Sequence, residues 1–141
     1  MSVKRGDKEF KEFKEFRETG HMTYKFESVV AWQKAHIFVL AVYRITKGFP
    51  NEELYGLTSQ FRRAAISIEA NIAEGYKKIS KADKLRFMNI SQGSIEECRD
   101  YVILSRDLHY ISDNEFSELH QMLEDTSKML YLYCNGIINN K

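Results

Sequence analysis

The chain has 141 residues, of which 43% are hydrophobic, and its formal net charge is +1 at pH 7. This length predicts one domain with a helical core, and one proline and seven glycines favour long helices over many short strands. The near-neutral charge gives no sign of a nucleic-acid or membrane partner, and no apolar run is long enough to cross a bilayer. Cys98 and Cys134 form no close pair and no signal peptide is recognised, so we expect free thiols in the cytoplasm.

The first residues differ from the rest of the chain. A three-residue Lys-Glu-Phe repeat places aromatic rings at Phe10, Phe13 and Phe16. Because an α-helix needs 3.6 residues per turn, a strict period of three drifts around its axis. The segment 1–22 is therefore predicted to be a charged, flexible extension, and residues 23–141 are predicted to form the folded domain. The alternative is a docking segment whose phenylalanines anchor on a partner or a neighbouring subunit.

Four amphipathic helices are predicted to follow. We expect them at about 28–47, from 57 to between 75 and 78, from a Ser80 cap to about 108, and from a Ser112 cap to the C-terminus. Each capping serine has an acidic residue three positions later, as in a capping box. Short connections force antiparallel neighbours, so the predicted fold is all-α, an up-down-up-down antiparallel four-helix bundle.

The first and third helices carry further apolar residues. On the first helix, Trp32 and Val39 widen the apolar face beyond what one intramolecular seam requires. The third helix carries a heptad-like stripe, which faces either the bundle interior or another subunit: Phe87, Ile90, Ser94, Glu97, Tyr101, Leu104 and Leu108.

A polar stripe accompanies the apolar face of the second helix, at Gln60, Arg63, Ser67, Asn71 and Glu74. If the second and third helices turn near Ser80, residues whose numbers sum to about 160 lie at the same height. This pairing predicts a Ser67–Ser94 contact and a partly buried Arg63–Glu97 ion pair, with Asn71 hydrogen-bonded nearby. Gly93 is predicted to allow a close approach of the two helices. We therefore predict that a polar seam sets the register of the second and third helices and the choice of helix partner. The residues of this seam are Gln60, Arg63, Ser67, Asn71, Glu74, Ser94 and Glu97.

The bundle topology sorts the charges into two ends. Acidic residues gather at the end that holds the first and third turns: Glu52, Glu53, Asp107, Asp113, Glu115 and Glu118. Basic residues gather around the second turn, near both termini: Lys77, Lys78, Lys81, Lys84 and Arg86. The basic cluster is either a solvated turn, helped by cations at a helix C-terminus, or a contact for RNA or DNA phosphate.

Motifs for catalysis are scarce. The histidines His36, His109 and His120 have no metal-ligand spacing, and Glu18-x-x-His21 has no second copy. Arg106 and His109 stand too close together for the ribonuclease pattern of helical bundles of the HEPN type. The sequence therefore predicts no enzyme, no metal, no cofactor and no small-molecule substrate.

Several ordered motifs resemble one known family: 30–35 (VAWQKA), 49–50 (FP), 53–60 (ELYGLTSQ), 62–68 (RRAAISI), 70–75 (ANIAEG) and 93–97 (GSIEE). They are similar to the four-helix bundle proteins encoded within intervening sequences of bacterial 23S rRNA genes. The resemblance covers roughly 26–133. Glu69 departs from it, since the family usually has proline or another small residue there, and the extension before Met22 lies outside it.

The resemblance implies a homo-oligomer, specifically a pentameric barrel of four-helix bundles. It also implies kinship with the accessory proteins of diversity-generating retroelements, which bind nucleic acid and a reverse transcriptase. Those proteins are notably basic, whereas this chain is neutral, and the family has no established enzymatic activity. We therefore expect a non-enzymatic scaffold or adaptor for a protein or ribonucleoprotein partner. The alternative is direct RNA or DNA binding through the basic end.

Overall fold

The computed structural model describes residues 22–140, together with Lys8 and Lys11 of the preceding segment. From residue 22 onward it contains four α-helices: α1 (Val30–Thr46), α2 (Leu57–Lys77), α3 (Lys81–Asp107) and α4 (Asp113–Asn139). Two short 3-10 turns, Lys25–Ser28 and Asn51–Glu53, precede α1 and α2. Apart from Met22 and the two lysines, the predicted extension 1–22 lies outside the described residues.

The four helices form a closed bundle. Each helix packs against its neighbours in the chain, and α1 also packs against α4. The connections α1–α2 and α3–α4 meet at one end, where the Tyr110 hydroxyl donates a hydrogen bond to Glu53 over 2.9 Å. The predicted all-α, up-down-up-down four-helix bundle is confirmed.

The predicted helix starts of α3 and α4 are also confirmed. The Ser80 hydroxyl accepts a hydrogen bond from the Asp83 backbone N–H at 3.1 Å. Ser112 and Glu115 form a full reciprocal capping box, with distances of 2.9 and 3.1 Å. Local side chains therefore satisfy backbone donors that a helix N-terminus leaves without partners.

The surplus apolar residues of α1 are buried inside the chain. Trp32 and Val39 are both buried. Phe26, in the turn Lys25–Ser28, packs edge-on against Trp32 with ring centroids 5.3 Å apart, and that turn contacts both α1 and α2. These two residues therefore serve more than one contact inside the chain, and elements of the same chain cover them.

Helix α3 packs mainly through a stripe that lies beside the heptad-like one. Its buried residues are Met88, Ser91, Ser94, Ile95, Cys98, Val102 and Ser105, so Ser94 of the heptad-like stripe is buried as well. The Ser91 and Ser105 hydroxyls donate to the backbone carbonyls of Ile68 and Tyr101. Because a hydroxyl with a partner can be buried at little cost, these serines are accepted in the core, whereas the heptad-like stripe contains the charged Glu97.

Candidate functional site

The α2–α3 seam is held by a short chain of small polar side chains. The Ser94 hydroxyl donates to the Ser67 hydroxyl at 2.9 Å. The Asn71 amide donates to the Ser67 carbonyl at 2.8 Å and lies 3.1 Å from the Ser67 hydroxyl. The predicted Ser67–Ser94 contact and the hydrogen bonding of Asn71 are confirmed. Ser91, which the sequence did not single out, adds a buried 2.8 Å bond to Ile68.

The predicted ion pair of the seam is wrong. Arg63 and Glu97 are both exposed, and no ion pair joins them in the part of the chain that the structure describes. Glu97 instead accepts a 2.8 Å hydrogen bond from the Tyr101 hydroxyl, which raises the pKa of Tyr101. Gln60 and Glu74 are exposed as well. The polar contacts of the seam are thus made by its small residues, because the long side chains turn outward into water.

The close approach of α2 and α3 lies at Gly75 rather than at Gly93. A Cβ on Gly75 would collide with the Met88 methyl group and would stand 2.9 Å from Phe87 Cβ. A Cβ on Gly93 would meet nothing within 4 Å, and Gly93 is exposed. The prediction for Gly93 is therefore wrong, since the residue lies on the outer side of α3.

The basic cluster forms one surface around the α2–α3 turn. Four of its cations are exposed, namely Lys77, Lys78, Lys81 and Arg86. Lys78 and Arg86 both lie over the Phe87 ring, at 5.0 and 5.4 Å from its centroid. Lys84 is half-buried and its ammonium donates to the Tyr76 carbonyl at 2.5 Å, so it caps the end of α2. The turn also holds Ile79 at its tip, which is 99% exposed.

The acidic end is partly neutralised by contacts of its own. Glu118 pairs with Arg44 at 2.5 Å between α4 and α1. Glu53 accepts the Tyr110 hydrogen bond, which raises the pKa of Tyr110, and Glu115 caps α4. Glu53 therefore ties the two connections of this end together, and Glu118 ties α4 to α1.

Several apolar side chains remain exposed within residues 22–140, and two groups of them bear on contacts with other chains. The first, the α3 stripe, consists of the exposed Ile90, Leu104 and Leu108. The second, the α1–α2 groove, is a shallow groove whose lining includes Tyr43, Leu54, Tyr55, Arg62, Arg63 and Ile66. Both surfaces are candidates for contact with another protein chain.

Ionisable groups that could support chemistry are dispersed. No group of three or more histidine, cysteine or acidic side chains that could hold a metal ion occurs among the described residues. The His36 ring forms a 2.7 Å hydrogen bond with Glu69, and this contact joins α1 to α2. The same ring stacks on Trp32 of its own helix. Cys98 and Cys134 are free and buried, and burial raises the pKa of both thiols. No described helix is long and apolar enough to cross a membrane.

Fold and seam together define a four-helix bundle whose second and third helices are joined by a serine contact. The sequence model of the family described as 23S rRNA-intervening sequence protein matches residues 27–132, so the chain belongs to that family. A search of the curated proteins finds no match.

The bundle is also similar to a solved structure. It is the crystal structure of a protein of unknown function from the S23 ribosomal protein family of Bacteroides thetaiotaomicron. The two chains are 23% identical and superpose with a TM-score of 0.69, over 75% of this chain and 96% of the other. At this identity the similarity supports the fold alone.

Proposed function

We propose that this protein is a non-enzymatic homo-oligomer, a pentamer of four-helix bundles, which serves in the cytoplasm as a scaffold or adaptor. Its partner would be a protein or a ribonucleoprotein. The observation that carries this proposal is the α3 stripe, because Ile90, Leu104 and Leu108 stay exposed at near-heptad spacing. Apolar residues at this spacing pack one helix against another, and the bundle leaves these three exposed.

Two unlike surfaces support a ring. A closed ring with an odd number of subunits joins two different patches on each subunit. The exposed carboxylate of Glu97 lies within the α3 stripe, between Ile90 and Leu104, and Asp100 is exposed one turn further along, whereas the α1–α2 groove carries Arg62 and Arg63. Apolar residues in both surfaces and opposite charges beside them favour contact of the stripe of one copy with the groove of the next. The family resemblance implies five copies.

The mass of the full-length chain in solution tests the oligomer. Light scattering coupled to size exclusion is expected to give five times the 16.6 kDa of one chain. Leu104→Asp places a charge in the stripe and is expected to lower this mass, with helix content retained. Ile103→Asp is the matched control, because Ile103 is the next residue on α3 and is 46% exposed, against 41% for Leu104. A mass of one subunit for the unaltered chain would refute the proposal.

A second candidate function is direct binding of RNA or DNA through the basic end. The observation in its favour is the cluster of four exposed cations around the α2–α3 turn, Lys77, Lys78, Lys81 and Arg86. In a ring this cluster would be repeated in every subunit, which strengthens an otherwise modest charge. Backbone phosphate contacts of this kind depend steeply on salt, because binding releases counterions.

A gel shift with single-stranded and duplex RNA and DNA at low and high salt tests this function. Two results would support this function. Binding should weaken steeply as salt rises, and the double variant Lys77→Glu with Lys81→Glu should lose binding at low salt. The control Lys47→Glu changes an exposed lysine at the other end of the bundle. Absence of a shift at low ionic strength would exclude the basic end as a nucleic-acid site.

A further inference from the structure

The turn between α2 and α3 carries an apolar side chain at one end of the bundle. Helix α2 ends at Lys77 and α3 begins at Lys81, so Ile79 is the middle residue of a three-residue connection. Its side chain is 99% exposed, the highest value among the large apolar residues that the structure describes. A single exposed isoleucine is ordinary on a protein surface, so its surroundings decide whether it marks a contact.

The surroundings of Ile79 are positively charged. Between positions 74 and 86 the chain has five basic and two acidic residues, and one of the acidic ones, Asp83, pairs with Arg86 at 3.8 Å. Three lysines of the turn are exposed and form no ion pair within residues 22–140: Lys77, Lys78 and Lys81. The near-neutral charge of the whole chain hides this local excess, because carboxylates gather at the opposite end of the bundle.

The apolar surface continues from Ile79 onto α4. Ile79 shares a shallow groove with Leu132 and Ile137 of α4, and Lys81 lines the same groove. Leu132 is exposed and Ile137 is half-buried. Residues 126–139 have no acidic side chain, so α4 adds no carboxylate to this end. The basic end therefore combines a projecting aliphatic group, a second apolar surface and cations without partners.

This combination matches an anionic lipid surface. Peripheral proteins bury apolar side chains at the boundary between headgroups and acyl chains, and their lysines are attracted to anionic headgroups. A single-stranded nucleic acid would instead need aromatic rings on which its bases stack. Tyr76 and Phe87, the two aromatic residues beside the turn, are half-buried, and each already has a cation over its ring. The exposed aliphatic tip thus favours a bilayer over a nucleic acid.

We propose that the basic end of the bundle docks on an anionic lipid bilayer. Ile79 inserts between the headgroups, and Lys77, Lys78 and Lys81 contact their negative charges. One subunit carries the whole surface, so this docking does not depend on the ring proposed above.

Flotation of the full chain with lipid vesicles tests the docking. Vesicles of phosphatidylcholine alone are compared with vesicles that contain about one third phosphatidylserine. Binding is expected only to the anionic vesicles and is expected to weaken as salt rises, because salt screens the attraction. Equal binding to both compositions, or no binding to the anionic vesicles, would overturn the proposal.

Two pairs of lysines test the charge. Each lysine near an anionic surface contributes about fivefold to binding, so Lys77→Gln with Lys81→Gln is expected to lower the partition coefficient about 25-fold. Lys47→Gln with Lys128→Gln is the matched control, because it removes the same charge from two exposed lysines outside the turn. Equal losses in the two double variants would show that net charge alone acts, and would overturn the assignment to the turn.

A substitution at the tip tests the insertion. Ile79→Ser is expected to lower the partition coefficient on anionic vesicles about tenfold, since the aliphatic side chain no longer leaves water on docking. Ile79→Leu is expected to retain binding. Ile103→Ser is the matched control, because Ile103 is an exposed isoleucine of α3 outside the basic end, and it is expected to have no effect. Unchanged binding in Ile79→Ser would exclude the insertion.

The same variant separates a bilayer from a nucleic acid. Ile79→Ser keeps every cation of the turn, so it is expected to lower vesicle binding and to leave any gel shift of RNA or DNA unchanged. The change of Lys77 and Lys81 to glutamine is expected to weaken both. A chain that shifts RNA or DNA but does not float with anionic vesicles would assign the basic end to nucleic acid and would overturn the proposal.

Discussion

Two glycines on facing helices predict opposite effects of the same substitution. Gly75 lies where α2 meets α3, and a Cβ there would collide with Met88 and stand 2.9 Å from Phe87 Cβ. Gly93 lies in the middle of α3, where a Cβ would meet nothing within 4 Å. The structure thus separates a glycine required by packing from one that only weakens its helix.

The magnitudes follow from two competing terms. Alanine in place of glycine inside a helix gains about 0.5–1 kcal/mol, because the unfolded chain loses conformational freedom. Overpacking a filled core costs about 1–3 kcal/mol. Gly75 is close to the end of α2, so its helix gain is small, and Gly75→Ala is expected to lower the free energy of unfolding by about 1–2 kcal/mol. Gly93→Ala is expected to raise it by about 0.5–1 kcal/mol.

Urea denaturation followed by helix circular dichroism measures both values. Gly136→Ala serves as a second control on α4, since a Cβ at Gly136 also meets nothing within 4 Å. Met88→Leu removes the methyl group nearest to the new Cβ, so it is expected to recover part of the loss in Gly75→Ala. The reasoning is refuted if Gly75→Ala stabilises the chain as Gly93→Ala does, or if Met88→Leu shows no coupling to Gly75→Ala.

Three further predictions concern a cap, a tyrosine and a thiol. Ser112→Ala removes one side of the capping box with Glu115, and thermal unfolding should show a loss of about 1 kcal/mol. The pKa of Tyr110 is raised by its bond to Glu53, so this contact stabilises the fold below pH ~10 and is lost as pH rises through the raised pKa. Tyr110→Phe should therefore lower stability at pH 8 and flatten its decline above pH ~10, and parallel curves for the two proteins would contradict this. The Cys98 thiol should react with a thiol reagent at pH 8 only as fast as the chain unfolds, because the thiol is buried out of reach of the reagent and burial also raises its pKa; faster reaction in native buffer would contradict this.

Much of the fold could be predicted because its signals are local or follow from short connections. Apolar periodicity and the serine caps located the four helices, and capping depends only on residues within one turn. The Ser67–Ser94 contact could be predicted as well, since an antiparallel hairpin of helices fixes which residues share a height.

The amino-acid sequence by itself determined the helices, their order, their antiparallel pairing and one contact across the seam. Only the tertiary structure decided how each helix is rotated about its axis. Neighbouring stripes on α3 both follow heptad spacing, and the one without a charged side chain faces the core, with its Ser91 and Ser105 hydroxyls bonded to carbonyls. The same rotation turned Arg63 and Glu97 into water and brought Gly75 into the contact, because the orientation of a helix depends on all its neighbours at once.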